Sequence, residues 1–86
     1  MYKYEENKSY IFTDDGQRAF LKVRDCANDL LDKAGAFMLT CAWAYLGGGD
    51  SWHHIACVDR MVELGEIVEI TQPGVAGQNR VFVRTN

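Results

Sequence analysis

Between Asp15 and Ala34 the apolar residues Ala19, Phe20, Val23, Cys26, Ala27, Leu30, Leu31 and Ala34 recur every three to four positions, with Arg18, Lys22, Asp25, Asp29, Asp32 and Lys33 between them. That period lays one apolar stripe along a helix, roughly 30 Å long at about 1.5 Å per residue, which Gly35 ends. Thr13 or Asp14 can cap it. Asp14 has Gln17 at the third position after it and fits a capping box, whereas Thr13 has Gly16 there. A second stripe, Ile55, Val58 and Val62 flanked by Cys57, Met61 and Leu64, predicts a helix over 52–64. Asp50 or Ser51 caps that helix, and Gly65 stops it at a position where positive φ is common. Between the two lie an apolar link or β-bridge, Ala36 to Leu39, and a short helix, Cys41 to Leu46, capped by Thr40. Gly47-Gly48-Gly49 follows as a turn, since each glycine is about 1 kcal/mol worse than alanine in a helix.

After Gly65 the period changes. Glu66 to Thr71 and Arg80 to Arg84 are β-prone runs joined by a turn on Pro73-Gly74 and Gly77. At the other end, Met1 to Asn7 is charged and aromatic without a period and reads as a mobile arm, and Ser9 to Thr13 reads as a short strand or extended lead-in. The expected architecture is α+β: three helices and a C-terminal two-stranded β-hairpin in a single domain over 13–86, preceded by an arm or short strand over 1–12.

Composition narrows this further. Eighty-six residues, 48% of them hydrophobic and 24% charged, suffice for one core without metal or disulfide staples. The longest apolar run, Ala34 to Leu46, is broken by Gly35 and Thr40 and is too short to cross a bilayer, so no membrane partner is expected. The polar N-terminus lacks a signal peptide's apolar stretch. Cys26, Cys41 and Cys57 each sit in an apolar pattern, which points to reduced, buried thiols in a cytoplasmic protein. Net charge is −3, and it is unevenly spread: residues 36–86 carry Arg60, Arg80 and Arg84 against Asp50, Asp59, Glu63, Glu66 and Glu69.

From Gly35 onward the order is apolar link, short helix, glycine turn, Ser51, helix, then Val58-Asp59-Arg60-Met61-Val62-Glu63-Leu64-Gly65-Glu66-Ile67. This run resembles the winged helix-turn-helix of bacterial multiple-antibiotic-resistance-type repressors, where a similar series closes the recognition helix and opens the wing. The resemblance spans about residues 35–84 and implies a double-stranded DNA partner, with helix 52–64 in a major groove and hairpin 66–84 on the backbone. By resemblance Ser51, Trp52, His53 and Ala56 would approach base edges, Arg60 a phosphate, and Gln78, Arg80 and Arg84 the backbone or minor groove. The glycine turn is looser than in that family, and no basic residue precedes Arg80 in the hairpin loop. On this reading Arg60→Ala and Arg80→Ala weaken DNA binding without a large loss of stability.

The same residues have plainer readings. Trp52 can pack over the glycine turn, and His53 can be solvated. Arg80 and Arg84 share a strand face with Phe82, so a buried Phe82 would take both from solvent. The acidic C-terminal half, with Tyr2, Tyr4 and Trp52, fits the second function class, a protein-interaction module that leaves DNA alone, an inhibitor of a host enzyme included. His53, His54 and Cys57, with Cys41 or Asp50, fall short of zinc spacing, and Cys57 belongs to the apolar stripe, so neither metal nor other cofactor is expected. No enzyme site is expected either. The thiols look buried, the glycine triplet lacks a following Lys-Ser/Thr, and Asp14-Asp15 and Glu5-Glu6 suit a cap and a tail. Helix 15–34 leaves two options open: a homodimer through its stripe, or Phe20, Val23, Leu30 and Leu31 filling the domain's own core.

Overall fold

The computed structural model describes residues 2–39, 51–72 and 79–85. In chain order these form α1 (Tyr4–Ile11), α2 (Asp14–Ala34), β1 (Ala36–Met38), α3 (Ser51–Glu63), β2 (Ile67–Glu69) and β3 (Val81–Arg84). The architecture is α+β, with three helices among the described residues and a three-stranded antiparallel sheet ordered β1-β3-β2. The predicted helix 41–46, its Thr40 cap, the glycine turn and the turn on Pro73-Gly74 and Gly77 lie outside the described residues.

Both long stripes are helical and largely buried, except that Ala34 and Leu64 at their ends are exposed. α2 buries Phe20, Val23, Cys26, Ala27 and Leu31, and α3 buries Ile55, Ala56, Cys57, Val58 and Met61, all in one core with Ile11, Phe37, Leu39, Ile67 and Phe82. Phe20, Val23 and Leu31 therefore fill this domain's own core, with Leu30 packed partly against it. Gly35 and Gly65 both take φ of 79°, the left-handed stop in which a side chain is strained.

Two expectations are corrected. Within the stretch read as an arm or short strand, residues 4–11 are helical. Tyr4–Ile11 is a helix with Glu5 and Glu6 in its first turn, where carboxylates suit the dipole, and its C-terminal Ile11 enters the core. Its approach also resets the start of α2. Thr13, not Asp14, is the N-cap, its Oγ1 accepting the Gly16 N–H at 3.0 Å, and Gln17 donates to the Ile11 carbonyl at 2.6 Å instead of closing a capping box. The second correction is the strand count. The hairpin partners ladder as expected, Ile67 opposite Arg84 and Glu69 opposite Phe82, but β1 pairs with the other edge of β3, Phe37 opposite Phe82. The two buried rings stack 5.4 Å apart, an apolar cross-strand pair that ties β1 to the core.

Candidate functional site

Helical spacing gathers His53, Ala56, Asp59, Arg60 and Glu63 on one side of α3, and this is the side on which α1 lies. Tyr2 donates its hydroxyl to Asp59 Oδ2 at 2.7 Å, and Tyr4 donates to Glu63 Oε1 at 2.9 Å. Lys8 Nζ is 2.8 Å from Glu63 Oε2. The Tyr10 ring stacks on the His53 imidazole, centroids 3.6 Å apart and planes 7° from parallel. Tyr2 meets Trp52 edge-on at 6.2 Å, and the Arg60 guanidinium lies 5.2 Å from the centre of the Phe12 ring.

The proton affinities follow. Burial, then the hydrogen bonds to Asp59 and Glu63, push the Tyr2 and Tyr4 hydroxyls well above the usual phenol range. Lys8, Arg60 and Tyr4, all hydrogen-bonded to Glu63, hold its carboxyl down to about 2.

The face expected to meet base edges is thus covered in part by α1. Ala56 is fully buried and meets nothing outside the molecule, which removes it from the predicted set. His53 is covered by Tyr10, while Trp52 keeps an exposed edge beside Tyr2. The side chain of Ser51 and the whole of Gln78 lie outside the described residues.

The arginines are committed as well. Arg80 Nη2 donates to Asp59 Oδ1 at 2.7 Å and to Glu69 Oε1 at 2.8 Å, and Nε donates to Glu69 Oε2 at 3.0 Å. Its side chain is only 17% exposed, against 14% for Asp59 and 29% for Glu69. Burial opposes its charge, but the bonds to Glu69 and Asp59 outweigh that and raise its proton affinity, while the Arg80 bond draws the Glu69 carboxyl below the usual range. Arg60 pairs with Glu63 at 2.6 Å and Arg84 with Asp32 at 3.1 Å. Arg18 pairs with Asp15, and Arg24 with Glu66, so each arginine of the chain has a carboxylate. Phe82 is fully buried, and of the two arginines that share its strand face Arg80 is withdrawn from solvent between two carboxylates, while Arg84 pairs with Asp32 at the exposed surface. Around α3, Lys8, Arg60 and Arg80 meet Asp59, Glu63 and Glu69, three cations against three anions.

Phe12, Leu21, Trp52 and Leu64 are exposed singly, and a contiguous apolar surface lies on the sheet. Its inner side carries Phe37, Phe82 and Ile67, all buried. The alternation of strand side chains sends Ala36 and Met38 of β1, Val81 and Val83 of β3, and Val68 with the following Ile70 to the other side. All six are aliphatic, where an antiparallel sheet with one solvated face ordinarily alternates to polar residues. Met38, Val68 and Ile70 are 37%, 45% and 59% exposed. β2 is also an edge. Ile70 N–H reaches Val81 O at 3.0 Å and Thr85 N–H reaches Glu66 O at 3.2 Å, so the alternate residues Ile67 and Glu69 turn their backbone N–H and C=O away from β3. The sequence held a signal for this face. Ile67-Val68 and Val81-Phe82-Val83 are apolar on successive positions, which marks strands apolar on both sides.

Cys26 and Cys57 are buried. Burial raises the proton affinity of both, that of Cys57 to about 11, which leaves almost no thiolate at neutral pH. Among the described residues, no three His, Cys, Asp or Glu side chains gather as metal ligands, and no helix is long and apolar enough to cross a membrane. No protein-family model matches the chain, and no curated protein or solved structure does so either.

Proposed function

We propose that this chain is a winged-helix-type protein-interaction module that does not read DNA. The winged-helix part of the reading is supported by the β2–β3 hairpin that follows α3 through Gly65 and by β1 closing the sheet on β3. The interaction part rests on one observation: the outward-facing residues of the three strands are all aliphatic, beside a β2 edge that is open among the described residues. An apolar surface of that kind on a small domain marks a contact with another macromolecule, and phosphate groups gain nothing from it. The partner it fits is an extended polypeptide segment that adds a strand to β2, pairing with the backbone of Ile67 and Glu69, with apolar side chains at alternate positions beside Val68 and Ile70. The aromatic surface of Tyr2 and Tyr4 is not the contact, because both rings pack against the core. Buried reduced thiols suit a reducing compartment such as the cytoplasm.

Two measurements test this. Fluorescence anisotropy of labelled mixed-sequence duplex DNA should show no binding even at low salt; binding that falls steeply with salt would overturn the proposal. A polypeptide retained from lysate by the tagged chain should be lost on Ile70→Glu, an exposed change that leaves the core intact. Retention that ignores Ile70→Glu would place the contact elsewhere.

A further inference from the structure

α1 and α2 meet at a corner of two residues, Phe12 and Thr13. Phe12 has φ −89° and ψ 4°, at the border of the helical region, and Thr13 has φ −84° and ψ 164°, extended. Turning the ψ of Thr13 to the helical value of about −42° would bring α1 and α2 into one helix from Tyr4 to Ala34. The bent form is held locally. Thr13 Oγ1 accepts the Gly16 N–H at 3.0 Å and donates to the Tyr10 carbonyl at 2.7 Å, and Gln17 clasps the Ile11 carbonyl.

Gly16 makes the bend sterically allowed. A Cβ there would lie 2.7 Å from the Tyr10 carbonyl carbon, 2.8 Å from Ile11 Cα, and closer still to the Tyr10 carbonyl oxygen. All three are backbone atoms and have no rotamer by which to move aside. A straight helix reverses the preference, favouring alanine over glycine at residue 16 by about 1 kcal/mol.

The seat of α1 on α3 uses a largely different set of groups. Tyr4, Lys8 and Tyr10 of α1, with Tyr2 just before it, engage Asp59, Glu63 and His53; of these seven residues only Tyr10, through its carbonyl, also belongs to the corner, and the corner's Phe12 ring adds a contact to Arg60 at 5.2 Å. A second copy's first helix can therefore supply the same seat. We propose that α1 is an exchangeable arm: the α3 surface of His53, Asp59 and Glu63 accepts the α1 of a second copy, and the chain forms an arm-swapped dimer when the corner straightens. Both forms contain the same α1–α3 contacts, so the corner decides between them, and Gly16 with Thr13 keeps the arm at home. This dimer uses neither the sheet face nor the β2 edge and stands apart from the interaction proposed above.

Size-exclusion chromatography with light scattering tests it on the full chain. Gly16→Ala, which forbids the bend, should run at twice the monomer mass at concentrations where the parent is a monomer. Thr13→Ala, which removes two corner hydrogen bonds without a clash, should show a dimer fraction that rises with concentration. Adding Tyr4→Phe and Lys8→Glu to Gly16→Ala removes a hydrogen bond and an ion pair from Glu63 at surface positions and should lower the dimer fraction several-fold. Should Gly16→Ala fail to fold, Thr13→Ala carries the test alone. A Thr13→Ala chain that stays monomeric at every concentration would overturn the proposal, and so would a Gly16→Ala dimer indifferent to the Tyr4→Phe and Lys8→Glu pair.

Discussion

Arg80→Ala separates the two views of this residue. A nucleic-acid contact on a hairpin should cost affinity and little stability. Here the guanidinium lies between Asp59 and Glu69, and all three side chains are less than a third exposed. Removing it leaves two carboxylates facing each other without their shared cation, with the Tyr2 hydroxyl still on Asp59. Breaking a fully buried pair costs about 3–5 kcal/mol; with the residual exposure of this cluster, about 2 kcal/mol is expected at pH 7. For a domain of this size that lowers Tm by about 8–16 °C. The difference should shrink in acid. Arg80 lowers the Glu69 carboxyl below its ordinary value, so its contribution is present above the unfolded carboxylate range and fades as pH falls through the folded value. Thermal melts of parent and Arg80→Ala at pH 7 and in acid check both parts. A variant as stable as the parent at pH 7 would refute the reasoning.

Other expectations follow from burial and titration. Phe82→Ala empties the centre of the sheet's inner face, where the ring is fully buried against Phe37, and should cost about 3–5 kcal/mol in urea unfolding, near the limit of what so small a domain tolerates. Cys57, with its thiol raised to about 11, should resist iodoacetamide in the native protein at neutral pH and react after unfolding, as peptide mass mapping would show. Glu63, held down to about 2, favours the folded chain above the ordinary carboxylate range, and that contribution is lost as pH falls from about 4.5 toward 2. Near-ultraviolet circular dichroism of the Tyr2–Trp52 pair should change over that window, and a Glu63→Gln chain should show a smaller change.

The elements that could be read in advance are those whose partners are written nearby. α2 repeats its stripe over six turns, and the Phe82 alternation marks β3 whatever lies beneath it. α1 escaped because its pattern holds one core residue, Ile11, and its other anchors are tyrosines and a lysine whose carboxylates lie 55 to 59 positions away. Such pairs leave no local period. β1 was visible only as a bridge, because three residues pair with a strand more than forty positions on. The arginines could be placed on a strand face, but not beside Asp59 and Asp32, which other helices supply. The resemblance to a DNA-reading domain rested on packing residues, which say how α3 is held and nothing about what covers its far side.

The seating of α1 on α3 decides which face of the molecule is available, and proton NMR reads it directly through the Tyr10–His53 stack. With the rings 3.6 Å apart and nearly parallel, the His53 ring protons should be shifted upfield and should show nuclear Overhauser contacts to the Tyr10 ring. His53 protons at random-coil positions, with no contact to Tyr10, would mean that α3 is uncovered and that the face expected to enter a groove is free to do so.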